Sequence, residues 1–219
     1  MTTNPTVAPP ALERNTVRVA FQGELGAYSH EAIAQHWHEA AMAIPSLSFD
    51  QVLANVESGL ADRGIIPIWN TIVGEVTPGL AAVGANLSAT HGLIVTDTVS
   101  LVVRHQLLGL PGSTLRELSS VTSHPVALAQ CGRFLATHPK MIPNPAYDTA
   151  GAAHDLALNG TLSSATIAGS LAAERYGLVI LAHDIQDVRH NVTRFLVVAR
   201  ARDESRGSPR IESDGSIRW

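Results

Sequence analysis

The chain has 219 residues, enough to bury a substantial core as one domain or two small lobes. Hydrophobic residues make up 45% and charged residues 16%, a balance that argues against a disordered protein. The net charge is −4 and the 15 Lys and Arg residues are scattered, which argues against a nucleic-acid partner. The single cysteine, Cys131, excludes an intramolecular disulfide and is typical of a reducing compartment.

Both ends of the chain are polar. Residues 1–15 are rich in Pro, Thr and Asn and contain no apolar run of the kind found in signal peptides, so they predict a flexible leader. Residues 202–219 predict a flexible tail for the same compositional reason. The most apolar stretch, residues 92–103, is interrupted by Asp97 and is too short to span a bilayer. We therefore expect a cytoplasmic protein without a membrane partner.

Short apolar runs alternate with helical patterns in the first half. Residues 17–21 predict a strand, residues 29–41 and 48–59 predict helices, and residues 65–68 predict a buried strand. Alternation of this kind predicts an α/β fold.

The second half begins with an extended crossover at residues 93–104. After it the predicted elements are a strand ending at 121–122, helices at 125–137 and 150–159, and strands at 165–168, 178–181 and 194–199. We infer two lobes, the first formed by residues 16–97 together with 183–201 and the second by residues 98–182. A ligand would bind in the cleft between them.

Three predicted helix starts carry capping residues. Ser29 and Ser123 are the expected N-caps of two helices, and Asp148 precedes Thr149 at the start of a third. Several helix starts converging on one cleft would form an anion site, because each offers free backbone N–H groups and a positive dipole end. The alternative is that these residues only stabilise their helices.

Residues 191–195 place an amide, a hydroxyl and a guanidinium next to an apolar strand. The Arg194 fork suits a carboxylate, although a surface ion pair is the alternative interpretation. Other site types lack their motifs: there is no three-glycine dinucleotide turn, no P-loop lysine and no Gly-x-Ser-x-Gly turn. His36 and His38, two apart on a predicted helix, point to different faces and are poor joint metal ligands.

Taken in order, several segments resemble the prephenate dehydratase family, including its arogenate dehydratase relatives. The matching segments are residues 19–23 (VAFQG), 26–29 (GAYS), 61–62 (AD), 67–68 (PI) with Asn70, Gly74, 123–125 (SHP), 127–131 (ALAQC), 148–153 (DTAGAA), 176–178 (YGL), 185–187 (IQD) and 191–195 (NVTRF). Together they cover roughly residues 17–200, nearly the whole predicted folded region.

The resemblance implies a two-lobed fold like a type II periplasmic binding protein, with the active site in the inter-lobe cleft. It implies conversion of prephenate to phenylpyruvate with loss of carbon dioxide and water, on the route to phenylalanine, without a cofactor or metal. Family members commonly assemble as dimers, so we expect a homodimer. Arogenate, which carries an amine in place of the keto group, is the competing substrate, and the residues are compatible with either.

The resemblance also implies roles for individual residues. Thr193 would donate a hydrogen bond or proton to the departing hydroxyl, and Arg194 would bind a substrate carboxylate or brace the cleft. The remaining residues that we predict to bind substrate are Ser29, Asn70, Thr71, Ser123, Gln130, Thr149 and Phe195.

Three departures from the family pattern are visible. Trp69 stands where the family has a glutamate, so we expect an indole in place of a cleft carboxylate. Val126 stands where Gln is common, and the regulatory ACT domain of many members is expected to be absent. The tryptophan motivates a second hypothesis, a small-molecule binding protein that kept the cleft and lost catalysis.

Overall fold

The computed structural model describes residues 16–86, 92–203, 210–211 and 217–218. The predicted leader, residues 1–15, and most of the predicted tail lie outside the described residues. The strands are β1 (Val17–Gln22), β2 (Ala41–Ser46), β3 (Arg63–Asn70), β4 (Gly74–Glu75), β5 (Leu93–Val102), β6 (Gln106–Gly109), β7 (Ser120–Ser123), β8 (Ile142–Pro145), β9 (Ser164–Ala168), β10 (Val179–Ala182), β11 (Val192–Arg200), β12 (Arg210–Ile211) and β13 (Ile217–Arg218). The α-helices are α1 (Tyr28–Trp37), α2 (Phe49–Ser58), α3 (Thr77–Asn86), α4 (Pro125–Gln130), α5 (Gly132–Ala136), α6 (Thr149–Asn159) and α7 (Ser170–Tyr176). None of the helices in the described ranges combines the length and apolar character that a membrane span requires.

Two separate sheets define two lobes. The first has the order β2-β1-β3-β11-β5, with β4 paired to β3, and the second has the order β10-β6-β9-β7-β8. The chain therefore crosses to the second lobe after β5 and returns to insert β11 between β3 and β5. The predicted two-lobed α/β fold is confirmed, and this strand order is that of the type II periplasmic-binding-protein fold.

Strand β11 lies inside the first sheet, between β3 and β5, and is buried on both faces. Leu196 and Val198 pack with α2 and α3 on one face, whereas Phe195 and Val197 pack with α1 on the other. This alternation follows from the two-residue period of a strand, and a strand covered by helices on both faces is a nearly continuous apolar run. Burial on both sides holds the polar residues at its start in a fixed position.

The two crossovers are hydrogen-bonded to one another. The backbone N–H of Val103 donates to the Asn191 carbonyl at 2.7 Å, and that of Ile185 donates to the His105 carbonyl at 2.9 Å. The His105 N–H donates to the Gln186 side chain at 2.9 Å. Strand β5 pairs with β11 along its whole length to Val102, so the chain leaves the first lobe five residues later than the expected boundary at residue 97.

Two of the predicted helices differ from the structure. The predicted helix 29–41 ends at Trp37, and residues 41–46 form β2, which pairs in parallel with β1. The single helix predicted for residues 125–137 is broken at Cys131 into α4 and α5. The break occurs where the Gln130 carbonyl accepts a hydrogen bond from the Asp187 N–H of the return crossover, and the Arg133 N–H donates to the Asp187 carboxylate.

Candidate active site

A cavity of about 230 Å³ lies between the lobes at the start of β11. Its polar lining comes from the first sheet, both crossovers, three helix starts and the end of α4, and consists of Tyr28, Asn70, His105, His124, Gln130, Thr149, Asn191 and Thr193. Its apolar lining consists of Pro67, Val73, Val76, Val103, Val126 and Ala127. None of these residues is an aspartate, glutamate, lysine or arginine, so the pocket offers neutral hydrogen-bonding groups within an apolar frame.

Asn70 and Thr193 face each other across the β3–β11 pair. The Asn70 Oδ1 atom accepts hydrogen bonds from the backbone N–H groups of Ile72, at 2.9 Å, and Val73, at 3.2 Å. Because backbone amides can only donate, these contacts fix the orientation of the Asn70 amide. Its Nδ2 therefore donates to Thr193 Oγ1 at 2.9 Å and to Asn191 Oδ1 at 2.7 Å.

The orientation of Asn70 determines what Thr193 can do. Since Thr193 Oγ1 accepts a hydrogen bond from Asn70, its own O–H hydrogen remains available to donate into the pocket. The hydroxyl is thus aimed as a donor by a neighbour that is itself held by backbone amides. This is the arrangement required to assist a departing oxygen.

Gln130 extends the same network to the second lobe. Its Oε1 atom accepts from Asn191 Nδ2 at 3.1 Å and from His105 Nε2 at 2.7 Å. Its Nε2 atom has no hydrogen-bond partner within the described part of the chain, and the side chain lines the pocket. Gln130 therefore presents unpaired N–H groups to an acceptor such as a carboxylate.

Two long helices begin at the pocket, α1 with Tyr28 and α6 with Thr149. In α6 the Asp148 carboxylate accepts from the Gly151 N–H at 2.8 Å, which leaves the first two N–H groups of the helix without an intrahelical acceptor. Helix α1 has no side-chain N-cap, and its approach is set by Gly26, at φ 93°. A Cβ there would lie 3.0 Å from the Ala172 Cα atom of the second lobe. The free backbone N–H groups at both helix starts can bind the negatively charged groups of a small anionic ligand.

The N-terminal turn of α1 also contains a half-buried, neutral histidine. The Gly26 N–H donates to His30 Nδ1 at 2.9 Å, and burial, assisted by Arg175, lowers the pKa of His30 below 6.5. As the pH falls through 6.5, the unfolded chain binds a proton that folded His30 does not, so stability should decrease towards acid.

His30→Asn keeps an acceptor near Nδ1 and cannot titrate. The free energy of unfolding, measured in urea, should therefore fall less between about pH 7.5 and about pH 5.5 for this variant than for the wild type. An equal fall in both proteins would contradict the assignment.

Four of the residues that the sequence predicts to act at the site line this pocket: Asn70, Gln130, Thr149 and Thr193. Their roles in binding or catalysis remain predictions. The other five lie elsewhere.

Ser123 and Ser29 do not cap their helices as expected. Ser123 is fully buried and its hydroxyl donates to the Ile167 carbonyl at 2.6 Å, while His124 occupies the N-cap position of α4. Ser29 lies inside the first turn of α1, which begins one residue earlier, after Ala27. Neither lines the pocket, so their predicted contacts with a ligand have no support in this geometry.

Thr71 and Phe195 hold the scaffold around the pocket. The Thr71 hydroxyl donates to the His190 carbonyl at 3.1 Å and accepts from the Val192 N–H at 2.9 Å, which ties β3 to the start of β11. Phe195 is buried in the core against α1. Both residues position Asn70 and Thr193 by fixing the strands that carry them.

Arg194 and Trp69 occupy the face of the β3–β11 pair opposite to Thr193 and Asn70. They are direct partners in the ladder, and the Arg194 guanidinium carbon lies 5.6 Å from the centroid of the Trp69 ring. The indole is 36% exposed and does not line the pocket. The expectation that an indole fills the cleft is therefore wrong, and the geometry gives Arg194 a cation–π partner rather than a place among the pocket residues.

Trp69→Glu should consequently leave activity nearly unchanged. The new carboxylate would lie beside Arg194 and outside the pocket, so we expect kcat/KM within about twofold of the wild type, the effect of a surface substitution away from the site. Steady-state kinetics of the two proteins would test this. A rise or fall of about tenfold or more would place position 69 in the chemistry.

The sequence-based site omits Tyr28, His105 and Asn191 as functional residues. The Tyr28 hydroxyl lies 2.5 Å from His105 Nδ1, and His105 is 2% exposed. Burial lowers the pKa of His105, only partly opposed by its bond to Gln130, and burial raises the pKa of Tyr28. Both groups are therefore neutral near pH 7. A histidine following the long apolar run 93–103 is the one sequence signal that could have pointed to this position.

A second cavity, of about 330 Å³, is larger but has different chemistry. It is lined by residues of both lobes that include Glu24 and Asp148, and it does not contain Thr193. Two carboxylates would repel an anionic ligand, so the smaller pocket is the better candidate. Across the described residues, no three histidine, cysteine or acidic side chains are arranged to hold a metal ion.

Comparisons with known proteins identify a family. The family model described as prephenate dehydratase matches residues 19–203. A protein of Arabidopsis thaliana, arogenate dehydratase/prephenate dehydratase 2, is 41% identical over 84% of this chain and 46% of its own length. The chain thus spans about half the length of the curated relatives that it matches.

Two solved structures share the fold and more than a quarter of the sequence. Prephenate dehydratase from Arthrobacter aurescens, in complex with L-Phe, superposes with a TM-score of 0.75 at 30% identity, covering 84% of this chain and 60% of that one. GqqA, described as a novel type of quorum quenching acylase, gives a TM-score of 0.77 at 34% identity, covering 88% of this chain and 67% of that one.

Proposed function

Because the chain belongs to the prephenate dehydratase family, we propose that it converts prephenate to phenylpyruvate with loss of carbon dioxide and water. The observation that carries this proposal is the Thr193 hydroxyl, held as a hydrogen-bond acceptor by Asn70 and left free to donate into an inter-lobe pocket. The Arabidopsis thaliana and Arthrobacter aurescens proteins are named as prephenate or arogenate dehydratases, and we base the choice between these two substrates on the pocket.

The residues of the pocket suit this reaction step by step. The bond between the ring and its carboxylate breaks and releases carbon dioxide, while the electron pair completes the aromatic ring and expels the ring hydroxyl. Thr193 donates a hydrogen bond to the departing oxygen, and water supplies the second proton of the product water, because a threonine hydroxyl is too weak an acid to act alone. Gln130 and the starts of α1 and α6 bind the carboxylates.

The absence of a carboxylate among the pocket residues favours prephenate over arogenate. Arogenate carries an ammonium group where prephenate carries a ketone, and a buried ammonium requires an acidic partner. Asn70, Gln130 and Asn191 are neutral, and a ketone oxygen needs only one N–H donor, which the unpaired Gln130 amide can supply.

The test is to incubate the purified protein with each substrate. Prephenate should yield phenylpyruvate with a higher kcat/KM than that with which arogenate yields phenylalanine. The reverse order would make the protein an arogenate dehydratase, one of the two activities in the name of the Arabidopsis thaliana relative. Binding of prephenate without turnover of either compound would support the hypothesis of a binding protein that has lost catalysis.

Two further expectations accompany the proposed function. We propose a homodimer in solution, on the basis of the family resemblance, and a cytoplasmic location. Light scattering during size-exclusion chromatography would test the first, and fractionation of cells would test the second.

A further inference from the structure

The hydrogen bonds around Gln130 form one directed chain that begins at fixed donors. The backbone N–H groups of Ile72 and Val73 set the Asn70 amide, so its Nδ2 donates to Asn191 Oδ1 at 2.7 Å. The Asn191 Nδ2 must then be the donor to Gln130 Oε1 at 3.1 Å. The orientation of each amide therefore follows from the previous one.

His105 completes the chain. Gln130 Oε1 is already an acceptor, so His105 Nε2, 2.7 Å away, must carry a hydrogen and donate to it. In the neutral ring Nδ1 is then the acceptor, and the Tyr28 hydroxyl, at 2.5 Å, donates to it. The ring is 2% exposed, and burial lowers its pKa, which agrees with the neutral form.

We propose that His105 is a positioning residue that directs the Gln130 amide, turning its oxygen away from the substrate and its N–H groups into the pocket. The Tyr28 hydroxyl, in the first lobe, donates to Nδ1 and so selects the tautomer with the hydrogen on Nε2. His105 Nε2 then donates to Gln130, in the second lobe. Without that donor, only Asn191 restrains Gln130, and the amide can rotate to place its oxygen against an anionic substrate. His105 thus acts on binding through Gln130 and touches no reacting atom.

Two substitutions separate this role from simple packing. Glutamine can place an N–H where Nε2 of the histidine lies, whereas asparagine can place an oxygen where Nδ1 lies. His105→Gln keeps the donor to Gln130, and His105→Asn keeps only the acceptor for Tyr28. His105→Asn should raise KM about tenfold, with a smaller change in kcat, because the loss of one oriented hydrogen bond to the substrate has about this effect on binding. His105→Gln should stay within about threefold of the wild type.

The tautomer can be read without any substrate. In 15N NMR of the wild-type protein at neutral pH, His105 should show a protonated Nε2 and an unprotonated Nδ1. The kinetic comparison rests on the proposed function, whereas the tautomer does not. If the wild type turns over neither substrate, the proposed function fails and the tautomer alone decides this inference. An Nδ1–H tautomer, or a folded His105→Gln protein as impaired as His105→Asn, would overturn it.

Discussion

Thr193→Val is expected to lower kcat by about 10²-fold or more, the contribution of one positioned acid–base group. Valine has nearly the shape of threonine and suits a strand, so the change removes the hydroxyl that Asn70 orients and little else. One Asn70 N–H loses its partner, which should cost about 1 kcal/mol of stability. Kinetics with prephenate and urea unfolding of the same preparation would measure both effects.

Two controls define what this loss means. Thr193→Ser keeps the hydroxyl and should retain most of the activity. Thr166→Val removes a buried hydroxyl that bonds the Thr122 carbonyl in the second sheet, away from the pocket, and should lower stability without lowering kcat. Full activity of Thr193→Val, or of Thr193→Ala, would remove the hydroxyl from the mechanism.

The order of elements could be predicted from the sequence because the apolar runs are local signals. Strand β2 was missed since residues 41–44 are mostly good helix formers, and only parallel pairing with β1 makes them a strand. That pairing joins residues distant in the sequence, such as Val17 and Ala41, and no window of the sequence contains it.

The opposite placement of Thr193 and Arg194 has an equally simple cause. The prediction began the last strand at residue 194, which left residues 191–193 as a loop whose side chains could all face the cleft. The strand begins at Val192, so the two-residue period turns Thr193 and Arg194 to opposite faces. A shift of two residues in a strand boundary thus decided which polar group enters the site.

The polar network could not be predicted because its links are far apart in the chain. Tyr28 and His105 are 77 residues apart, and Asn70 and Asn191 are 121 apart. Each residue is unremarkable within its own segment. Their roles arise only where the two crossovers pass side by side between the lobes.

The second large effect is expected for Asn70→Asp, which changes one NH2 group into an oxygen. The new carboxylate would face Asn191 Oδ1 and Thr193 Oγ1, now 2.7 Å and 2.9 Å from Asn70 Nδ2. Thr193 would turn its hydrogen towards this oxygen and away from the substrate, and a negative charge would stand beside a dianion. We expect kcat/KM to fall by about 10²- to 10³-fold, as when one preorganised donor is removed.

The pH dependence of this variant gives the decisive reading. A protonated carboxyl group can again donate one hydrogen bond, so relative activity should rise as the pH falls towards the pKa of the introduced carboxyl group. Asn55→Asp is the matched control, because Asn55 Nδ2 donates to Ser46 Oγ in the first lobe and Asn55 does not line the pocket. It should keep wild-type kinetics. If Asn70→Asp is equally active, Asn70 does not orient Thr193, and the hydroxyl donates by some other arrangement.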